Sequence, residues 1–105
     1  MKTWVYFLLC EHDALYTGTA IDPLNRFKDH CSGRGARFTR MRKPIRLVGA
    51  FVFETRGEAL SNEYRFKRLP ALEKRRLAAM ASEDPAWLAY LMRRVGWGER
   101  SDAHP

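Results

Sequence analysis

Two short apolar runs open the chain, Trp4 to Cys10 and Leu15 to Ile21, and a polar "EHDA" separates them. Both runs are rich in the aromatic and β-branched residues that fit a pleated, half-buried surface, which predicts an antiparallel hairpin. Side chains alternate along a strand. A register that pairs even-numbered residues with even-numbered ones therefore puts Tyr6, Leu8, Tyr16 and Gly18 on one face, although loop length alone does not fix that parity. In "DPLNRFKDHCSG", Asp22 is a natural N-cap, Pro23 suits the first helical position, and Gly33 is placed to stop a short helix. Leu24, Phe27 and Cys31 form its apolar stripe. Arg26 and His30 lie four apart on a neighbouring face and can reach one ligand together.

The apolar periodicity then lapses. Residues 34–46, "RGARFTRMRKPIR", carry Arg34, Arg37, Arg40, Arg42, Lys43 and Arg46 with no acidic residue among them. "LVGAFVFE" reads as a buried strand, and Thr55 with Glu58 forms a capping box that opens a helix from about Arg56 to Leu69, ahead of Pro70. At roughly 100° per residue, Ala59, Leu60, Tyr64 and Phe66 span one arc of that helix. Glu63 falls inside the arc, beside Lys67. Two more helices are predicted, from about Ala71 to Met80 and after the Asp84-Pro85 cap, the last with an apolar stripe of Trp87, Leu88, Leu91, Met92 and Val95. The tail after Gly96 reads as loose.

Composition narrows this to one small domain. With 105 residues, 46% of them hydrophobic, there is enough chain for a single core. Residues 1–81 are expected to form the main unit, with 82–105 a C-terminal helix and tail packed on it or extending from it. A net charge of +7 favours polyanionic partners, nucleic acid or an acidic membrane surface. Cys10 and Cys31 lack C-x-x-C spacing and suit a reducing compartment as small buried residues. The Trp4–Cys10 run is too short for a membrane span or a signal-peptide core, so a cytoplasmic protein is expected. His12 and His104 stand apart from any Cys or His cluster and are not assigned to a metal.

Singly, the polar residues have ordinary explanations. Tyr6 and Tyr16 are good strand residues, Arg26 can be a solvated cation, and His30 can answer a helix dipole. Glu63 can pair with Lys67 at i, i+4, but a carboxylate inside an apolar arc argues against simple exposure. Arg37, Phe38 and Arg40 mix cation with aromatic, a combination that holds phosphates while stacking on an unpaired base. Such contacts predict strong salt dependence and little reading of sequence.

Taken in order, the pieces are more specific. Two strands bearing tyrosines, a helix with an Arg and a His, a strand, and a helix with a Glu resemble the GIY-YIG nuclease family. "WVY" at 4–6 stands where the family has Gly-Ile-Tyr, "YTG" at 16–18 where it has Tyr-Ile-Gly, "NRFKDH" supplies Arg26 and His30, and "SNEYRFKRL" supplies Glu63. The likeness is greatest to short stand-alone bacterial members, through Leu15–Gly18, Gly33–Arg40 and Glu63–Leu69, and covers about residues 3–81. The chain departs from the family pattern at Trp4, where a glycine is usual, and in having only Asn25 and Asn62, neither on a later helix where many members place an Asn.

The resemblance implies an α+β fold, a small three-stranded antiparallel sheet flanked by helices in the order β-β-α-β-α-α, with a C-terminal helix. It implies a metal-dependent endonuclease acting on DNA, structure-selective, in repair or processing. Glu63 would hold Mg²⁺ or Mn²⁺, Arg26 would contact the scissile phosphate, and Tyr6 would relay the proton of the attacking water. A tyrosine of ordinary pKa near 10 is a poor base at neutral pH, so Tyr6 needs a partner such as His30 or a nearby cation. Tyr16 would position water or phosphate, and Gly18 would let the backbone approach substrate. Arg34, Arg37, Arg40, Arg42, Lys43 and Lys67 are expected to contact nucleic acid, DNA before RNA. No membrane partner is expected, and the chain is expected to be a monomer or weak homodimer. The alternative is a nucleic-acid-binding module with little or no catalysis; a weaker third is a protein-interaction domain.

Overall fold

The computed structural model describes residues 1–96. Strand β1 (Thr3–Cys10) runs through a short 3-10 turn into β2 (Ala14–Ala20), followed by α1 (Pro23–Cys31), α2 (Arg37–Met41), β3 (Pro44–Phe53), α3 (Arg56–Lys67), α4 (Ala71–Ser82) and α5 (Pro85–Arg94). The strands form one antiparallel sheet in the order β2-β1-β3. This is the expected α+β architecture with one addition, the five-residue helix α2 inside the basic segment. His104 and the tail after Gly96 lie outside the described residues.

The hairpin register resolves the parity question. Tyr6 pairs with Gly18 and Leu8 with Tyr16, so even-numbered residues oppose even-numbered ones. Trp4, Tyr6, Leu8 and Cys10 consequently line one face of β1, packed with Leu24 and Phe27 of α1, Phe38 of α2 and Trp87 and Tyr90 of α5. Phe7 faces the other way, against Phe51, Phe66, Ala78 and Ala81. β1 is thus covered on both faces and hydrogen-bonded on both edges. Its burial is nearly complete along its length.

The helix ends follow the sequence signals. Asp22 caps α1 through the Asn25 amide, Gly33 turns the chain with φ of +83°, and the Thr55–Glu58 capping box is formed in both directions. The inward faces of the helices differ from expectation. In α1 it is His30, not Cys31, that turns into the core; Cys31 is exposed, and only Cys10 is a buried thiol. In α3 the inward residues are Ala59, Glu63 and Phe66, while Leu60 and Tyr64 are exposed. Tyr64 instead carries the Arg68 guanidinium over its ring, the carbon lying 5.3 Å from the centroid. In α5 the inward residues are Trp87, Tyr90 and Leu91, and Leu88, Met92 and Val95 face outward.

Helix α5 fastens the start of α1. Trp4 packs on Trp87 and Tyr90 with ring centroids 6.0 and 5.1 Å away. The Tyr90 hydroxyl donates to the Asp22 carboxylate and accepts the Leu24 amide at 2.9 Å, while Arg94 donates to Asp22 and to Asn25 Oδ1. Burial alone would raise the Asp22 pKa, but these hydrogen bonds outweigh it and hold the carboxyl below its ordinary 3.8. Among the described residues, no helix is long and apolar enough to cross a membrane.

Candidate active site

Tyr6 projects from the central strand and is 1% exposed. Its hydroxyl lies 2.7 Å from His30 Nε2 on α1, and His30 Nδ1 lies 2.7 Å from the Thr39 hydroxyl on α2. Thr39 in turn donates to the Ala36 carbonyl at 2.8 Å. Four groups from three elements thus form one buried hydrogen-bonded line. Burial, together with the neighbouring Tyr16, pushes the Tyr6 phenol well above its ordinary value, while the Arg26 charge opposes the shift. Burial and then the Arg26 charge hold His30 below its usual 6.5. At neutral pH the pair is therefore a neutral phenol beside a neutral imidazole.

Two glycines make room for this line. A β-carbon on residue 18 would sit 2.5 Å from the Tyr6 hydroxyl oxygen and 3.0 Å from the Tyr16 ring. Gly18 therefore serves the Tyr6 phenol directly. At residue 35 a β-carbon would run into the His30 imidazole, 2.7 Å from Cγ. Gly35, Thr39 and the Ala36 carbonyl are site components that the sequence reading does not include, because they act only through the His30 side chain, by close packing and by hydrogen bonds. Their signal was the "GRGARFT" stretch itself, a Gly-bounded turn next to a histidine helix.

The other candidates surround the Tyr6–His30 pair. The Tyr16 ring lies 6.2 Å from Tyr6, 5.3 Å from His30 and 5.6 Å from Phe38. The Lys67 ammonium stands over Tyr16 at 5.6 Å, and Arg42 stands over Phe38 at 5.2 Å. This gives a ladder of cation, ring, ring, cation that links α3 to the basic segment. Glu63, with 18% of its side chain exposed, pairs with Lys67 at 3.2 Å. The same Lys67 stands over the Tyr16 ring, which brings Glu63 to the Tyr16 side of the sheet. Arg26, 36% exposed, pairs with Asp29 at 3.6 Å and lines an open depression of about 490 Å³ together with Asp22, Asn25, Asp29 and Arg56. Arg34, Arg37, Arg40, Arg42 and Lys43 are exposed on and around α2, beside the Tyr6 line and not part of it.

A GIY-YIG catalytic domain model matches residues 2–76. The chain belongs to the GIY-YIG family. A UPF0213 protein of Cupriavidus necator is 44% identical over 84 residues, 79% of this chain and 91% of that one. A UPF0213 protein of Halalkalibacterium halodurans is 40% identical over 80 residues, covering 76% and 85%. The solution structure of the UPF0213 protein BH0048 from Bacillus halodurans superposes with a TM-score of 0.51 at 38% identity, over 79% of this chain and 88% of that one. That of an E. faecalis protein gives 0.51 at 33% identity, over 80% and 91%. The GIY-YIG domain is a nuclease domain, its substrates are nucleic acids, and such nucleases generally use divalent metal ions.

The donor set suits a weakly held ion. Among the described residues no cluster of three His, Cys, Asp or Glu side chains could hold a metal. Glu63 gives one oxygen to Lys67, and its second oxygen has no hydrogen-bond partner among the described residues. Mg²⁺ is commonly held by one or two carboxylates with waters and substrate phosphates, so a lone, accessible Glu63 fits an ion whose shell the substrate completes.

Proposed function

We propose that this chain is a metal-dependent endonuclease that hydrolyses phosphodiester bonds in DNA, selecting substrates by structure more than by sequence. The observation that carries this reading is the 2.7 Å hydrogen bond between the Tyr6 hydroxyl and His30 Nε2. A phenol with a raised pKa is a poor base by itself. With a neutral imidazole already accepting its proton, it needs no phenolate: the water proton moves to Tyr6 Oη as the Tyr6 proton moves to His30 Nε2. The water oxygen then bonds to phosphorus, the bond to the leaving oxygen breaks, and that oxygen takes a proton from solvent. His30 releases its proton after the products leave.

Arg26 binds the scissile phosphate in this reading, exchanging its 3.6 Å contact with Asp29 for the substrate and uncovering a path to Tyr6. Glu63 would hold Mg²⁺ or Mn²⁺, which would neutralise charge on the non-bridging oxygens. Tyr16 orients water or phosphate. The exposed cations around α2, with Lys67, hold the phosphate backbone, and Phe38 and Tyr16 offer rings to unpaired bases. Helix α5 belongs with the same unit, which acts in the cytoplasm as a monomer or weak homodimer in DNA repair or processing.

A nucleic-acid-binding module with little catalysis is the second reading. It is favoured by one observation: Tyr6 is only 1% exposed, and Glu63 is already paired with Lys67. The test incubates wild type and Glu63→Ala with labelled single-stranded, duplex, flap and branched DNA, in Mg²⁺, Mn²⁺ or EDTA. Metal-dependent cleavage by wild type alone supports the nuclease. Cleavage by neither protein, on DNA or on RNA, with salt-sensitive binding by both, replaces it with the binding module.

A further inference from the structure

We infer that Thr39 is a positioning residue that holds the His30 imidazole in its Nδ1–H tautomer, which leaves Nε2 free to accept the Tyr6 proton. The tautomer follows from hydrogen-bond accounting at both ends of the buried line. A carbonyl oxygen only accepts, so the Thr39 proton points to Ala36 at 2.8 Å and its oxygen is left to accept from Nδ1–H at 2.7 Å. At the other end, the Tyr6 hydroxyl has no hydrogen-bond acceptor besides His30 Nε2 among the described residues. Both ends demand the same tautomer.

The surroundings make that choice rigid. Thr39 is 2% exposed and His30 1%, which keeps solvent from offering either group another partner. The Thr39 and Arg40 amides both donate to the Ala36 carbonyl, at 3.0 and 3.2 Å, so the first turn of α2 fixes the threonine against its acceptor. Gly35 packs against the imidazole, since a β-carbon there would lie 2.7 Å from Cγ. The second-ring-nitrogen partner of a functional histidine commonly sets which nitrogen carries the proton. Here that partner is a hydroxyl, contributed by a helix outside α1.

The consequence for cleavage rests on the nuclease reading; the tautomer itself does not. With Nε2 bare, the Tyr6 proton transfers to it, and His30 becomes a cation whose Nδ1–H still donates to Thr39. In the opposite tautomer, Nε2–H would point at the Tyr6 oxygen and oppose arrival of the water proton. Catalysis would stop without any loss of substrate affinity.

The experiment is ¹⁵N NMR of the imidazole nitrogens in wild type, T39V and T39S, at a pH where His30 is neutral. Wild type and T39S are expected to show a protonated Nδ1 and a bare Nε2, and T39V to move Nε2 toward the protonated position. In cleavage assays, kcat of T39V should fall about 100-fold, the lower end of acid–base contributions, with KM and DNA affinity unchanged, and T39S should restore it. A protonated Nε2 in wild type, or an unaltered Nδ1–H pattern in T39V, overturns the inference. Should T39V fail to fold, T39A puts the same question. Absence of cleavage by wild type would sink the nuclease reading alone, since the nitrogen shifts decide the tautomer independently.

Discussion

Tyr6 and Gly18 are directly paired across the β1–β2 ladder, and the space above the glycine is filled by the tyrosine hydroxyl. Because that hydroxyl is held by His30 and the ring is enclosed, it has nowhere to retreat. Gly18→Ala should destabilise the fold by about 1–3 kcal/mol, the usual cost of overpacking, and lengthen the Tyr6–His30 hydrogen bond. Urea denaturation gives the first quantity. An alanine variant as stable as wild type would show that the phenol can move.

Acid should weaken the protein from near neutrality. His30 is buried with its pKa below 6.5, so between that value and its folded pKa the unfolded chain binds the proton and the folded one does not. Stability is therefore complete above about pH 6.5 and is lost as the pH falls below it. Asp22, whose carboxyl is held below 3.8, adds its loss only at much lower pH. The denaturation midpoint should drop between about pH 7.5 and about pH 5.5. His30→Gln should flatten that slope; an unchanged slope would assign it to other groups.

How far the sequence foretold this site depends on the range of the interaction. The order of elements, the hairpin, the caps at Asp22 and Thr55 and the closeness of Arg26 to His30 all follow from local rules. The facing of α3 does not. A helical wheel relates Ala59, Leu60, Glu63 and Tyr64 to each other but does not say where the sheet lies, and the actual docking buries Ala59 and half-buries Phe66 while Tyr64 stays out with Arg68. Helix α2 has no local signature, because Ala36 offers no capping side chain and the segment has no apolar period. Tyr90 and Asp22 are 68 residues apart, and nothing in either neighbourhood announces the other.

The α5 clasp gives a third expectation. Tyr90→Phe keeps the ring against Trp4 and Trp87 but removes the donor to Asp22 and the acceptor of the Leu24 amide. Loss of those partners in a largely buried setting should cost about 1–3 kcal/mol. Thermal denaturation at neutral pH tests this. Equal stability of the variant would mean that water replaces the hydroxyl without penalty.

Binding should be governed by counterion release at the exposed cations of the basic segment. Wild type is expected to lose DNA affinity steeply with salt, and Arg37→Ala combined with Arg40→Ala should reduce the log–log slope by about 2 if each contacts a duplex phosphate. Fluorescence anisotropy across a salt series measures it. A slope identical in wild type and variant would remove α2 from the interface.

The double coverage of β1 separates the site into parts of unequal permanence. Tyr6 lies on the one strand paired along both edges and packed on both faces, so release of its backbone requires the whole domain to open. His30 and Thr39 sit on helices of nine and five residues at the periphery of the same core. Partial opening under thermal or chemical stress will therefore strip the phenol of its partners while the phenol itself stays in place. Inactivation should precede unfolding, and amide exchange should find α2 released well before β1.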